Sequence, residues 1–126
     1  MTEPKAQDEL ASASDALRAA EALLDLDLLR DAMSRAYYAA FHAARALVLA
    51  EGFEAKSHGG LMHLFNLHVV GQGRLEPRFN LLLARLQAYR HASDYGYAFA
   101  MARDDVEAEI AAAGEIVERA YSLLSP

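Results

Sequence analysis

The chain has 126 residues, no cysteine, and 18 acidic against 12 basic side chains, for a formal net charge of -6 at pH 7. That length fits one domain over residues 1–126 with a core large enough to need no staple, and the lack of cysteine excludes disulfide frameworks, thiol nucleophiles and thiolate zinc sites. The acidic balance argues against indiscriminate binding of nucleic acid, so any RNA contact must come from a local cationic cleft; a basic or mixed-charge protein partner fits equally well.

The opening "MTEPKAQDEL" is polar and acidic rather than basic then apolar, and no segment reaches the roughly 18 uninterrupted apolar residues of a membrane span. The expectation is a cytoplasmic protein with no membrane contact.

Apolar residues recur at helical spacing throughout, and nowhere do four or more alternate with polar ones as a half-buried strand requires. A first helix is predicted over 4–24, with Leu10, Ala13, Leu17, Ala20 and Leu24 on one stripe and Thr2 and Pro4 suiting its start. A second is predicted over 28–51, stopped by Gly52. After the loop "GFEAKS", Ser57 is the expected N-cap of a short third helix through Leu61, Leu64, Phe65 and Val69. "GQGRLEP" interrupts the chain, and a fourth helix is predicted over 77–101, with Gly96 marking a kink or thinning. Asp104 and Glu107 form a capping-box-like pair opening a fifth helix, whose stripe is Val106, Ile110, Ala113, Val117, Ala120 and Leu124. Short loops between long helices imply antiparallel neighbours, hence an all-α, up-and-down bundle of four to five helices. Alanine-rich faces allow close approach, and part of that surface is a candidate dimer seam.

Three stretches carry candidate chemistry. In "SRAYYAAFHAARAL", Arg35, Tyr38 and His42 share one sector of the second helix, while Tyr37, Phe41 and Val48 share another. The plain reading is two aromatic stripes in the core; the functional one is a polar cleft in which His42, beside Arg35, is a neutral acceptor. In "KSHGGLMHLFNLH", His58, His63 and His68 recur every five residues, about 140° apart on a helix, so they cannot converge on one metal, and no metal or other cofactor is expected. Lys56, Ser57 and the two glycines Gly59 and Gly60 at that helix start offer a cation and free backbone N–H groups to a phosphate, a weak site against a plain capped start. In "RLQAYRHASDYGY", Arg90 and Asp94 are spaced for an intrahelical ion pair, with His91 and Tyr95 stacked on another side.

Taken in order, "DAMSRAYYAAFHAARALVLAEGF", "KSHGGLMHLF" and "YRHASDYGY" resemble the three blocks of a bacterial and archaeal branch of the HEPN superfamily, small helical proteins often encoded beside minimal nucleotidyltransferases. The resemblance covers residues 32–97. It implies a homodimer with a cleft between protomers that holds an Arg-x4-6-His motif, an RNA or nucleotide ligand, and a nucleotidyltransferase partner. In the paired systems the family pattern is Arg-x4-His-x-Tyr, whose tyrosine the partner adenylylates.

Laid on this sequence, the pattern puts the arginine at Arg90, Tyr95 where the histidine is expected, and the modifiable tyrosine at Tyr97. Arginine suits a phosphorane, because its planar guanidinium is always charged. A tyrosine, with an ordinary pKa near 10, is a poor base at neutral pH. Arg85 and His91, and also Arg35 and His42, fall within the permitted spacing, but roughly one such match arises by chance in so short a chain. Two alternatives follow from the resemblance. One is a metal-independent endoribonuclease with Arg90, His91, Asp94 and Tyr95 as its catalytic set and Arg35, Tyr38, His42, Lys56, Ser57 and His58 lining the cleft. The other is a non-catalytic nucleotide-binding or helical interaction module that docks the nucleotidyltransferase.

Overall fold

The computed structural model describes residues 4–94 and 101–125, the side chains of Ser93 and Asp94 excepted. All regular structure among them is helical: α1 (Pro4–Asp25), α2 (Leu29–Ala50), α3 (His58–Phe65), which runs directly into a π-helical segment (Asn66–Val70), α4 (Arg78–Asp94) and α5 (Arg103–Leu124). No helix among these residues is long and apolar enough to cross a membrane.

α2 is the axis of the bundle, packing against α1, α3, α4 and α5. Its burial explains its composition. Ala32, Ala36, Ala39, Ala40, Ala43, Ala44 and Ala46 are fully buried, as are Ala6, Ala13 and Ala20 of α1 and Ala113 and Ala120 of α5. Small side chains on facing helices let the backbones approach closely, so many short contacts replace a few large ones. These alanines, which the sequence offered as a seam between protomers, are consumed within one chain. Larger side chains fill the other side of α2: Met33, Leu61, Phe65, Phe79, Leu83, Leu86 and Ile116 are at most 2% exposed. The expected stripe of α5 is buried as far as Ala120, with Leu124 packed on its margin.

The helix ends follow local chemistry. α2 stops at Gly52, where φ is +92°; Gly52 N–H donates to Leu49 C=O at 2.9 Å and Phe53 N–H to Val48 C=O at 3.2 Å, satisfying carbonyls the helix leaves open. The same pair of bonds closes α1, but with Asp27 at the left-handed position (φ 62°). Arg103 makes up for that: Nη1 donates to Leu24 C=O at 2.9 Å and to Asp27 Oδ1 at 3.2 Å, tying the end of α1 to the start of α5.

Two expectations change. Asp104 and Glu107 do not cap α5; the helix opens at Arg103 with Ala102 extended, Asp105 Oδ2 accepts from Ala102 N–H at 3.3 Å, and Glu107 pairs instead with Arg103 at 3.0 Å. The carboxylate three residues beyond the cap is the one that reaches back, so placing the cap two residues earlier, at Ala102 rather than Asp104, moves that role from Glu107 to Asp105. Met101 lies outside any helix, so the fourth helix does not run through it. Thr2 and Gly96 lie outside the described residues.

Candidate anion site at the junction of three helices

Five side chains from three helices meet at one place. α2 presents Tyr37 and Tyr38 edge to face, ring centroids 5.1 Å apart. Consecutive residues on a helix diverge by about 100°, so this pair opens a wedge rather than a stack. α4 drives Arg90 into the wedge: its guanidinium carbon is 5.2 Å from the Tyr37 ring centre and 5.1 Å from that of Tyr38. Arg35, one turn before Tyr38 on α2, lies 4.7 Å from the same Tyr38 ring. Two guanidinium groups thus share one aromatic ring on an acidic protein, each attracted by its electron-rich face.

The start of α3 adds the fifth group. His58 Nδ1 and the Tyr37 hydroxyl are 2.9 Å apart. Burial lowers the His58 pKa below the usual histidine value, and the charge of Arg90 lowers it further. Burial raises the Tyr37 pKa; Arg90 opposes that rise and Tyr38 adds to it. At neutral pH the pair is therefore a neutral phenol against a neutral imidazole.

Beside this cluster a groove of about 430 Å³ runs between α1 and α2, lined by Ser12, Asp15, Ala16, Ala19, Arg35, Tyr38 and His42. The structure thus brings Arg35, Tyr38 and His42 to one wall, as their shared sector predicts. The environment of His42 differs from the expected one: its Nδ1 is 2.6 Å from Glu9 Oε2, and Arg45 lies 3.6 Å from the other oxygen of that carboxylate. Arg90 disfavours the cation of His58.

The remaining expected residues separate. Ser57 is the N-cap of α3, its hydroxyl oxygen accepting from Gly60 N–H at 2.9 Å, and Lys56 is exposed beside it. That is the plain capped start, with one of its amides already occupied. His91 is exposed on α4 next to Arg90. The side chain of Asp94, and Tyr95 and Tyr97 altogether, lie outside the described residues. Arg85 is withdrawn from the site by Glu109, which accepts from its Nε at 2.6 Å and from its Nη2 at 2.8 Å. His68 stacks on Phe53 with centroids 3.8 Å apart and planes 11° apart, whereas His58 packs on Tyr37. No group of three or more histidine or carboxylate side chains among the described residues is placed to hold a metal ion.

Tyr37 and Glu9 escape a reading by sequence sector. The first looks like core, and it is 3% exposed, yet its hydroxyl is the part that matters. The second is on another helix, and no spacing rule links it to His42.

Comparison with known proteins gives the family of the chain. A family model described as "HEPN domain" matches residues 6–123. "Putative toxin MJ0605" of Methanocaldococcus jannaschii is 37% identical over 83 residues, 66% of this chain and 62% of that protein. "UPF0332 protein glr0978" of Gloeobacter violaceus is 34% identical over 123 residues, 97% of this chain and 98% of that protein. "UPF0332 protein PH1297" of Pyrococcus horikoshii is 47% identical over 60 residues, 48% of this chain and 42% of that protein. The chain therefore spans less than two thirds of the length of the first and third relatives and nearly all of the second.

Proposed function

Because the chain belongs to the HEPN domain family, we propose that it is the toxin-like member of a pair with a minimal nucleotidyltransferase, a cytoplasmic homodimer whose cleft binds RNA phosphodiesters and cleaves them without a metal ion. The observation that carries this reading is the position of Arg90 over both Tyr37 and Tyr38, with Arg35 on the same Tyr38 ring. A phosphodiester needs fixed cations held at a polar surface, and the faces of these two rings hold both guanidinium groups at one place. A relative that bears the name of a toxin supports the biological setting.

In the cleavage reaction the 2′-oxygen of RNA bonds to phosphorus and the 5′-oxygen leaves. Arg90 stabilises the added charge on the phosphorane, assisted by Arg35. His91 takes the 2′-hydroxyl proton, Tyr95 gives a proton to the departing 5′-oxygen to leave a 2′,3′-cyclic phosphate, and Asp94 orients Arg90, while Tyr97 is the residue the nucleotidyltransferase modifies to silence the protein.

A second reading, a nucleotide- or RNA-binding module without cleavage that docks the same partner, is favoured by one observation in the sequence: Tyr95 stands where the family pattern has its histidine. One experiment separates the two. Wild type and Arg90→Ala, each unmodified and shown to be folded and of equal oligomeric state, are incubated with total cellular RNA and chelator, and binding is measured in parallel. Cleavage by wild type alone supports the nuclease. Binding without cleavage, lost in Arg90→Ala, supports the module. RNA binding unchanged in Arg90→Ala would overturn both.

A further inference from the structure

The arginine of the site has no motif histidine at the expected spacing, yet a histidine from a different helix stands beside it. We propose that His58 completes the Arg90 anion site as a neutral hydrogen-bond donor to a phosphate oxygen, and that Tyr37 is the positioning residue that orients it. The inference rests on the reading of the Arg90 cluster as a phosphate site.

The argument begins with the 2.9 Å contact between the Tyr37 hydroxyl and His58 Nδ1. A phenol is a good donor and a weak acceptor, whereas an unprotonated imidazole nitrogen is a strong acceptor. The hydroxyl therefore donates and Nδ1 accepts. That choice places the proton of the neutral ring on Nε2. No side chain or backbone group among the described residues is hydrogen-bonded to Nε2. Burial and Arg90 both disfavour the imidazolium, so the ring stays a neutral donor when the site is empty.

The ring is also held in place. Tyr37 is 3% exposed and packs on Phe41 at 5.8 Å and on Tyr38 at 5.1 Å, so its hydroxyl is a fixed point. Backbone anchors the other side: Ser57, immediately before His58, caps α3 through Gly60 N–H. The same Tyr37 ring that orients His58 carries Arg90 on it, so one aromatic side chain sets the spacing of a cation and a neutral donor. Such a mixed pair matches a phosphodiester, which has one negative charge spread over two non-bridging oxygens.

The test measures binding of a 2′-O-methyl oligoribonucleotide, which cannot be cleaved, to the full-length protein at pH 7.5 by fluorescence anisotropy. Thermal melts confirm that each variant is folded. His58→Phe, which removes the donor, is expected to weaken binding about tenfold, as befits a hydrogen bond to a charged group. His58→Gln, whose amide nitrogen falls near the position of Nε2, is expected to restore most of that loss. Tyr37→Phe, which removes only a hydroxyl, is expected to weaken binding about threefold in wild type and to have no effect in His58→Phe. Full binding by His58→Phe together with loss in Arg90→Ala would overturn this proposal and leave the phosphate site standing; full binding by Arg90→Ala would overturn the site itself. Equal effects of Tyr37→Phe in both backgrounds would overturn its positioning role. For variants that fail to fold, 15N spectra of histidine-labelled wild type decide. A protonated Nε2 whose resonance moves on adding the oligonucleotide is expected, and a proton on Nδ1, or an Nε2 that does not respond, overturns the assignment.

Discussion

Arg85 of α4 grips Glu109 of α5 through two parallel hydrogen bonds, 2.6 and 2.8 Å long, and Glu109 is 8% exposed. Hydrogen bonding to this carboxylate holds the Arg85 guanidinium more firmly cationic than usual. The geometry makes Arg85 a fastener between helices and removes it from competition with Arg90 for the site.

Arg85→Ala should therefore cost stability and spare binding. It strands a nearly buried carboxylate, but Arg85 itself is partly exposed and water can take its place, so we expect a loss of about 1–2 kcal/mol rather than the larger figure of a fully buried pair. Urea melts give the stability, and oligonucleotide binding under native conditions should equal that of wild type. Arg90→Ala should give the opposite pattern.

Salt dependence tests whether Arg35 meets a phosphate. On single-stranded RNA each neutralised phosphate adds about 0.7 to the slope of log affinity against log salt. Arg35→Ala should lower the magnitude of the slope by about that amount per protomer, whereas replacing an exposed lysine away from the cluster, Lys5→Ala, should leave it unchanged.

Stability should fall on acidification, in a window set by His58. Its folded-state pKa lies below the ordinary histidine value of 6.5, so between the two the unfolded chain binds more protons than the folded one. This contribution to stability is complete above pH 6.5, declines as the pH drops through the window, and is lost below the folded value. Tyr37 faces His58, and burial raises its pKa away from that range. Melts of wild type and His58→Gln between pH 4.5 and 7.5 should differ in slope only within this window, with the variant the flatter; parallel profiles would refute the assignment.

Gly52→Ala should destabilise the protein by about 1–2 kcal/mol, because φ is +92° there and a Cβ resists the left-handed region. No neighbour lies within 4 Å of the position a Cβ would take, so the whole effect is backbone strain. Chemical denaturation measures it, and RNA binding by the folded variant should be unaffected.

The helices were legible in the sequence because α1, α2 and α5 are long amphipathic runs, and Gly52 and Ser57 act as the chain's own punctuation. The resemblance to HEPN proteins pointed to Arg90, and helical periodicity put Arg35, Tyr38 and His42 on one wall. The partners of those residues were not legible. Glu9 reaches His42 from α1, Glu109 reaches Arg85 from α5, and His58 reaches Tyr37 from the start of α3; all three are contacts between elements, to which spacing along one helix is blind. The Asp104 and Glu107 pair failed for a smaller reason: capping chemistry is exact to the residue, and helix starts read from a pattern are not. Tyr95 and Tyr97, which the family pattern singles out, lie outside the described residues.

Arg90 sits almost equally far from two rings set at 69° to each other. A cation above a single ring occupies one well, and leaving it is uphill in every direction. Above a wedge of two, a step away from one centre is a step toward the other, so the two wells merge into a shallow trough. As far as the two rings are concerned, small shifts of the guanidinium between them therefore cost little. Tolerance of that kind would suit the proposed phosphate site, whose ligand has a flexible, irregular backbone.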